Sequence, residues 1–271
     1  MMKKTVRIVS LIALLGAFAL PAFSATSYRY KAVTSGGRGS NMTARVEVDG
    51  KNLRMDLERG DGNLFRDGSV VYSSDGGATL IVTNPADKTW YSLRFDEILG
   101  GAGALLKSLG DMVRISFENQ KVAVKDAGAG ETLEGYPTRK SLLDTSYDMN
   151  IDAMGQKITT RMTVNTQSWT TDKISPDAMN FFQLRGLRTG IEGIDKLIDA
   201  QSAAMRGRFP LKQVTTVSVT RGKEAAMTTT TTATVSEISF KPIAATEFRV
   251  PSGYQKIDSP LQTLMKRAMP Q

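Results

Sequence analysis

"AAMTTTTTATVSEISF", Ala225 to Phe240, decides how the second half of the chain is read. Linkers are Gly/Ser- or Pro-rich, whereas threonine is β-branched and favours extended backbone. The preceding "FPLKQVTTVSVT", Phe209 to Thr220, has strand character, and "RGKE", Arg221 to Glu224, is its turn. The run is therefore the returning strand of a hairpin. Met227, Ala233 and Val235 share one parity, with Thr229 and Thr231 between them. Ile238 and Phe240 take the other, which places a bulge or bend near Ser236. Half of the inward face is then threonine. Such a hydroxyl-and-methyl surface suits a partly open concavity, and an edge strand explains it as well.

Working back from this strand, Ser27 to Leu93 is a series of short alternating segments broken by Gly and Asp. In "MTARVEV" Met42, Ala44, Val46 and Val48 share a face. "DGKN" signals a tight hairpin turn, and "LRMDLER" returns with Leu53, Met55 and Leu57 inward. "SVVYSS", "ATLIVT" and "TWYSL" follow. Short strands on two- to five-residue turns describe an antiparallel meander, and no crossover helices support a parallel sheet. Strands resume at "MVRISF", "KVAVK", "YPTRKSLLD", "SYDMNID" and "QKITTRMTVNTQSW", with "DAMGQ" as a hairpin loop.

Two helical inserts interrupt the strands. The first, near 95–109, carries Phe95, Ile98, Leu99, Leu105 and Leu106 around a glycine-rich break. The second, near 176–206, opens with Ser175 as N-cap and Pro176 as first helical residue. It contains Phe181 and then a stripe of Ile191, Ile194, Leu197, Ile198 and Met205 at helical spacing. That stripe is either a helix seated on the sheet or a lid over a ligand. Trp90, Tyr91 and Trp169 are strand-borne aromatics, open to core packing or ligand contact.

The ends and the composition set the class. Lys3, Lys4 and Arg7 precede an apolar run from Ile8 to Leu20, Pro21 breaks it, and Ala22 and Ser24 mark a cleavage site. This is the layout of a secretory signal peptide over 1–24, the alternative being a retained anchor helix. The domain expected is a single one over 25–258, followed by a short cationic tail over 259–271. The formal net charge of +8 becomes +5 without Lys3, Lys4 and Arg7. That spread-out balance fits anionic lipid surfaces or acidic partners and gives no nucleic-acid footprint. With no cysteine after the apolar run, lipoprotein acylation is chemically closed and no disulfide can form. With no histidine, the usual general base, imidazole metal ligands and histidine-dependent triads are absent.

Motifs that resemble chemistry fail on inspection. "GGAGALL" puts Leu106 at the third glycine position of a dinucleotide loop. "SGGRGSN" lacks the Gly-Lys-Ser/Thr of a phosphate loop. "DGNLFRDG", from Asp61, has Tyr72 where a calcium loop needs Glu. No cofactor and no metal are expected, and no catalytic residue is assigned.

The order of elements resembles the LolA/LolB-like superfamily of exported bacterial proteins, including a branch catalogued as a domain of unknown function. The stretches that carry the resemblance are "VEVDGKNLRMDLERG", "LIVTNPADKTWYSL", "GETLEGYPTRKS", "NTQSWTTDKISP" and "TVSEISFKPIAATEFRVPSGYQ". The resemblance implies a mainly β (α+β) fold: a curved antiparallel sheet, an incomplete barrel, its concave apolar face covered by the helical inserts. It further implies an apolar cavity, which in the carrier members takes acyl chains. The function expected is that of a periplasmic, non-enzymatic binding protein for a lipid or other apolar ligand. Its candidate cavity and lid comprise Trp90, Ile98, Leu99, Leu105, Leu106, Phe181, Ile191, Ile194, Leu197 and Ile198. Expected partners are that acylated or apolar ligand, an envelope protein and peripheral membrane contact, with no nucleic acid. The alternative is a structural or interaction module of the cell envelope with a filled core. The sequence leaves oligomeric state open.

Overall fold

The computed structural model describes residues 25–36, 41–60, 65–94, 113–153, 156–179, 192–205, 207–222 and 224–260. The first half is the expected meander: β1 (Thr26–Ser35), β2 (Met42–Asp49), β3 (Asn52–Arg59), β4 (Val70–Ser73), β5 (Thr79–Asn84) and β6 (Thr89–Arg94). Longer strands follow: β7 (Val113–Ala129), β8 (Arg139–Ala153), β9 (Gln156–Thr171), β10 (Phe209–Arg221) and β11 (Met227–Ser239), with β12 (Gln255–Lys256) last. All twelve belong to one sheet, in the order β12-β6-β5-β4-β3-β2-β1-β11-β10-β9-β8-β7. Every neighbouring pair is antiparallel except β12, which lies parallel to β6. The sheet is mixed and unclosed, with β12 and β7 as its edges.

Alternation in β2 and β3 gives the core as read. Ala44, Val46 and Val48 oppose Leu57, Met55 and Leu53, and all six are buried. The two strands turn through Gly50 and Lys51. Gly50 sits at φ 58°, a left-handed conformation that glycine takes without strain. Val71, Leu80, Val82 and Leu93 extend the same cluster over β4–β6. Phe209, Leu211 and Val235 close it from β10 and β11.

One irregular segment seals this core. Ser175 begins a 3-10 turn, Pro176–Met179, as its N-cap reading requires; the backbone N–H of Asp177 donates to Ser175 Oγ at 3.3 Å. Ile174, Ala178 and Met179 are buried in the cluster. The Tyr28 hydroxyl, reaching across the core, donates to the Ala178 carbonyl at 2.8 Å and touches Met179 Sδ at 3.2 Å. The Tyr28 ring meets Phe209 edge-on, with centroids 5.5 Å apart.

Beyond the core the strands differ from the sequence reading in two places. The segments "MVRISF" and "KVAVK" are one strand, β7, because "ENQ" between them forms a bulge rather than a turn. Its register slips between Glu118 and Lys121, and Asn119 takes φ 53°. "YPTRKSLLD" and "SYDMNID" likewise fuse into β8, where Thr145 pairs with both Val122 and Val164. The threonine run lies between β1 and β10, so the edge-strand explanation is excluded. Its bulge falls where parity placed it: Arg29 pairs with Ser236 and Ser27 with Ser239, around Glu237 at φ 55°.

The helix Glu192–Met205 coincides with the expected stripe and lies against β7 and β8. The first insert, near 95–109, is outside the described residues.

Candidate functional site

The face that carries the core does not stop at Val235 and Leu211. Register extends it across β1, β11, β10, β9 and β8 in successive rows. The first row is Ala32, Ala233, Gln213, Ser168 and Ser141. The second is Thr34, Thr231, Thr215, Thr166 and Leu143. Two more follow on four strands: Thr229, Val217, Val164 and Thr145, then Met227, Val219, Met162 and Tyr147. None of these residues carries a charge at neutral pH, and none belongs to the packed core cluster. Leu143, Thr145, Thr166 and Ser168 are buried, and most of the others are half-buried.

The polar atoms on this face bond to one another. Thr34 Oγ1 and Thr231 Oγ1 lie 3.0 Å apart, and Thr166 Oγ1 and Thr215 Oγ1 3.3 Å. Gln213 Nε2 donates to Ser168 Oγ at 3.2 Å, and the Tyr147 hydroxyl to Met162 Sδ at 3.1 Å. A hydroxyl satisfied sideways along the sheet frees its methyl group to face outward. The row of Thr34, Thr231, Thr215 and Thr166 therefore offers an apolar contact surface while its hydroxyls stay paired. Burial raises the Tyr147 ionisation above its ordinary value, so this phenol is neutral at physiological pH.

The opposite face carries charges on β8 and β9, whereas on β10 and β11 it too bears paired hydroxyls, Thr216 with Thr230 and Ser218 with Thr228. Arg161 and Asn119 both donate to the buried Asp148 carboxylate. Trp169 is buried too, with Lys140 Nζ at 4.5 Å and Lys212 Nζ at 4.7 Å from its ring centroid. A Cβ on Gly130 would come within 2.9 Å of the Trp169 ring and 2.5 Å of Thr138 Oγ1, so the loop here needs glycine to lie against the indole. Trp169 is thus a packing residue. A groove of about 610 Å³ on this side runs between Arg29, Arg45 and the segment Lys241–Ala244. Its two arginines are matched: Arg29 pairs with Glu58 and, at 3.8 Å, with Glu237, and Arg45 with Glu47 at 3.3 Å. Among the described residues no three acidic, His or Cys side chains gather as a metal site would require.

The candidate residues named from sequence divide three ways. Trp90 is half-buried on β6 beneath Lys256, whose Nζ is 5.2 Å from the ring centroid. Ile198 is buried on the helix against β7 and β8, at the far end of the strand order from β6. Ile194 and Leu197 lie on the same helix, their side chains outside the description. Ile98, Leu99, Leu105, Leu106, Phe181 and Ile191 fall outside the described residues. Sequence reasoning found the threonine strand and its hairpin partner β10, but not that β1, β9 and β8 share their face. Val164 and Met162 alternate with polar residues, which signalled a strand without saying that it meets β10.

No family model matches the chain, and no curated protein matches it. Among solved structures it is similar to a LolA superfamily protein from Nitrosomonas europaea, at 10% identity and TM-score 0.31, over 84% of this chain and 91% of that one. It is also similar to a DUF1329 family protein from Desulfovibrio piger, at 9% identity and TM-score 0.31, over 87% and 93% of the two chains.

Proposed function

We propose that this chain is a non-enzymatic binding protein that holds a lipid acyl chain or another apolar ligand against the core face of β8–β11. The observation that carries the reading is the uncharged continuation of that face past the packed core, with the Thr34–Thr231 and Thr166–Thr215 hydroxyls paired in-plane. Each methylene moved from water onto such a surface contributes ~0.8 kcal/mol, so a chain of ordinary length needs no charged contact to bind. In this proposal the helical inserts near 95–109 and 176–206 cover the ligand, and Ile194, Leu197 and Ile198 belong to that cover. Opening of the cover would release the ligand. The leader-like first 24 residues support an exported, periplasmic setting, with an envelope partner or membrane surface as source or destination. Among the described residues no helix is long and apolar enough to cross a membrane.

A second reading, an envelope module with a filled interior, is favoured by the dense cluster around Tyr28, Met55 and Phe209. Native mass spectrometry of protein purified from the periplasm, followed by solvent extraction, separates the two. A reproducible lipid adduct, with uptake of fluorescent fatty acid by the emptied protein, is the expected result. Val217→Asp, on the inner face, should weaken that uptake about tenfold or more, as burying a carboxylate beside a chain costs several kcal/mol. Ser218→Asp, one residue on and facing outward, should leave it unchanged. A clean apo mass with no uptake would overturn the binding reading in favour of the filled module.

A further inference from the structure

A cleft of about 380 Å³ opens where β8 begins, β9 ends and β10 begins. Its charged lining is Arg139, Lys173 and Arg208 against one carboxylate, Asp172. Arg139 is paired with Asp126, and Lys173 reaches Asp172 only at 3.6 Å with both side chains exposed. Arg208 has no carboxylate partner among the described residues. Lys140, next in sequence to Arg139, adds a further cation above Trp169. The outer groove described above differs in kind: Arg29, Arg45 and Lys241 meet four glutamates there, so nothing is left for an anion to neutralise.

Hydrogen-bond donors accompany the charge. The Thr171 hydroxyl accepts the Lys173 backbone N–H at 3.3 Å, leaving its own hydrogen to donate. Thr170 is held in place by its hydroxyl, which donates to the Arg139 carbonyl at 3.3 Å. We propose that this cleft is an anion site for a phosphate group, with Arg208 and Lys173 as its principal ligands and the Thr171 hydroxyl as a neutral donor. Arg208 supplies the planar fork that matches phosphate oxygens, and Lys173 a mobile point charge. The volume lies at the low end for ligand pockets and the lining is charged, which suits a headgroup or free phosphate better than an acyl chain. The site borders the apolar face, with Arg139 and Thr170 one row beyond Ser141 and Ser168, but does not depend on that face holding a ligand.

Calorimetric titration of the full chain with inorganic phosphate tests the free anion. Flotation with phosphatidylcholine vesicles, with and without phosphatidylglycerol, tests the lipid headgroup. Arg208→Gln should weaken the response about tenfold, the scale of one lost charge-assisted hydrogen bond. Lys173→Gln should weaken it in the same direction. Arg249→Gln removes an exposed charge elsewhere and should leave binding intact. An Arg208-dependent response to phosphate assigns the site to the free anion, and one confined to phosphatidylglycerol vesicles assigns it to a headgroup; either supports the cleft. No Arg208-dependent response to either probe, or an equal loss in Arg249→Gln, overturns it.

Discussion

Asp148 sits on the outer face of β8, buried while the arginine that holds it is largely exposed. Arg161 donates Nε and Nη2 at 2.8 and 3.0 Å, and Asn119 donates its amide at 2.7 Å. Those hydrogen bonds, Arg161's first, lower the carboxyl from its ordinary 3.8 to about 2 and outweigh the opposing effect of burial. Because the folded value is the lower one, the interaction stabilises the protein above pH 4 and is lost as pH falls toward 2. Asp148→Asn should therefore lower the denaturant midpoint at neutral pH, and the gap to wild type should narrow steadily between pH 4 and 2. A gap that does not change with pH would show that the carboxylate's charge is not what matters. None of this was legible in the sequence, since Asn119 reaches Asp148 only because the β7 bulge turns it back toward β8.

At the level of elements, legibility followed dryness. Where one face of a strand is fully buried, as in β2 and β3, alternation named the core without error, because a one-residue slip would drive Met55 and Leu57 into water. The threonine strand was legible for its bulge, since Val235 and Ile238 both point toward the core but differ in parity. Its hairpin partner β10 was legible too, whereas the other strands of the face were not, because Thr34 and Thr166 are far away in sequence. The helix Glu192–Met205 was read from its spacing, yet spacing says only that a stripe is buried, and not that β7 and β8 receive it. Docking of the 3-10 turn shows the same limit: Ser175-Pro176 announced a start, while Tyr28 that fixes it lies 150 residues upstream. Tyr28→Phe keeps the ring against Phe209 and removes only the hydroxyl, leaving the Ala178 carbonyl buried without its donor. The expected cost is about 1–2 kcal/mol in urea unfolding. A loss near zero would mean that the segment Ile174–Met179 is held by apolar contact alone.

For the whole molecule, strand order gives the threonine run a second role. Strands β12 and β6 to β1 form one half of the sheet and β10 to β7 the other, and β11 is the strand that joins them. β1 therefore waits for a partner more than 190 residues later in the chain (Ser35 pairs with Thr230), a long-range closure that comes late in synthesis. The two tryptophans of the chain report on separate halves, Trp90 from β6 and Trp169 from β9. Each can be isolated by changing the other to Phe. In the wild-type background, the single-tryptophan proteins should unfold in denaturant with coincident transitions once each substitution's own shift is subtracted, as one cooperative unit does. Thr231→Pro removes a ladder donor in the middle of β11 and forces the local backbone out of register, a change that interior strands do not tolerate. The half around Trp90 keeps its packed core, whereas the half around Trp169 has fewer buried apolar residues to hold it. Trp169 should then report unfolding at lower denaturant than Trp90, with the separation created by the proline alone. If the two transitions shift together instead, the halves are coupled through more than β11, and the cover proposed over the apolar face becomes the element to test next.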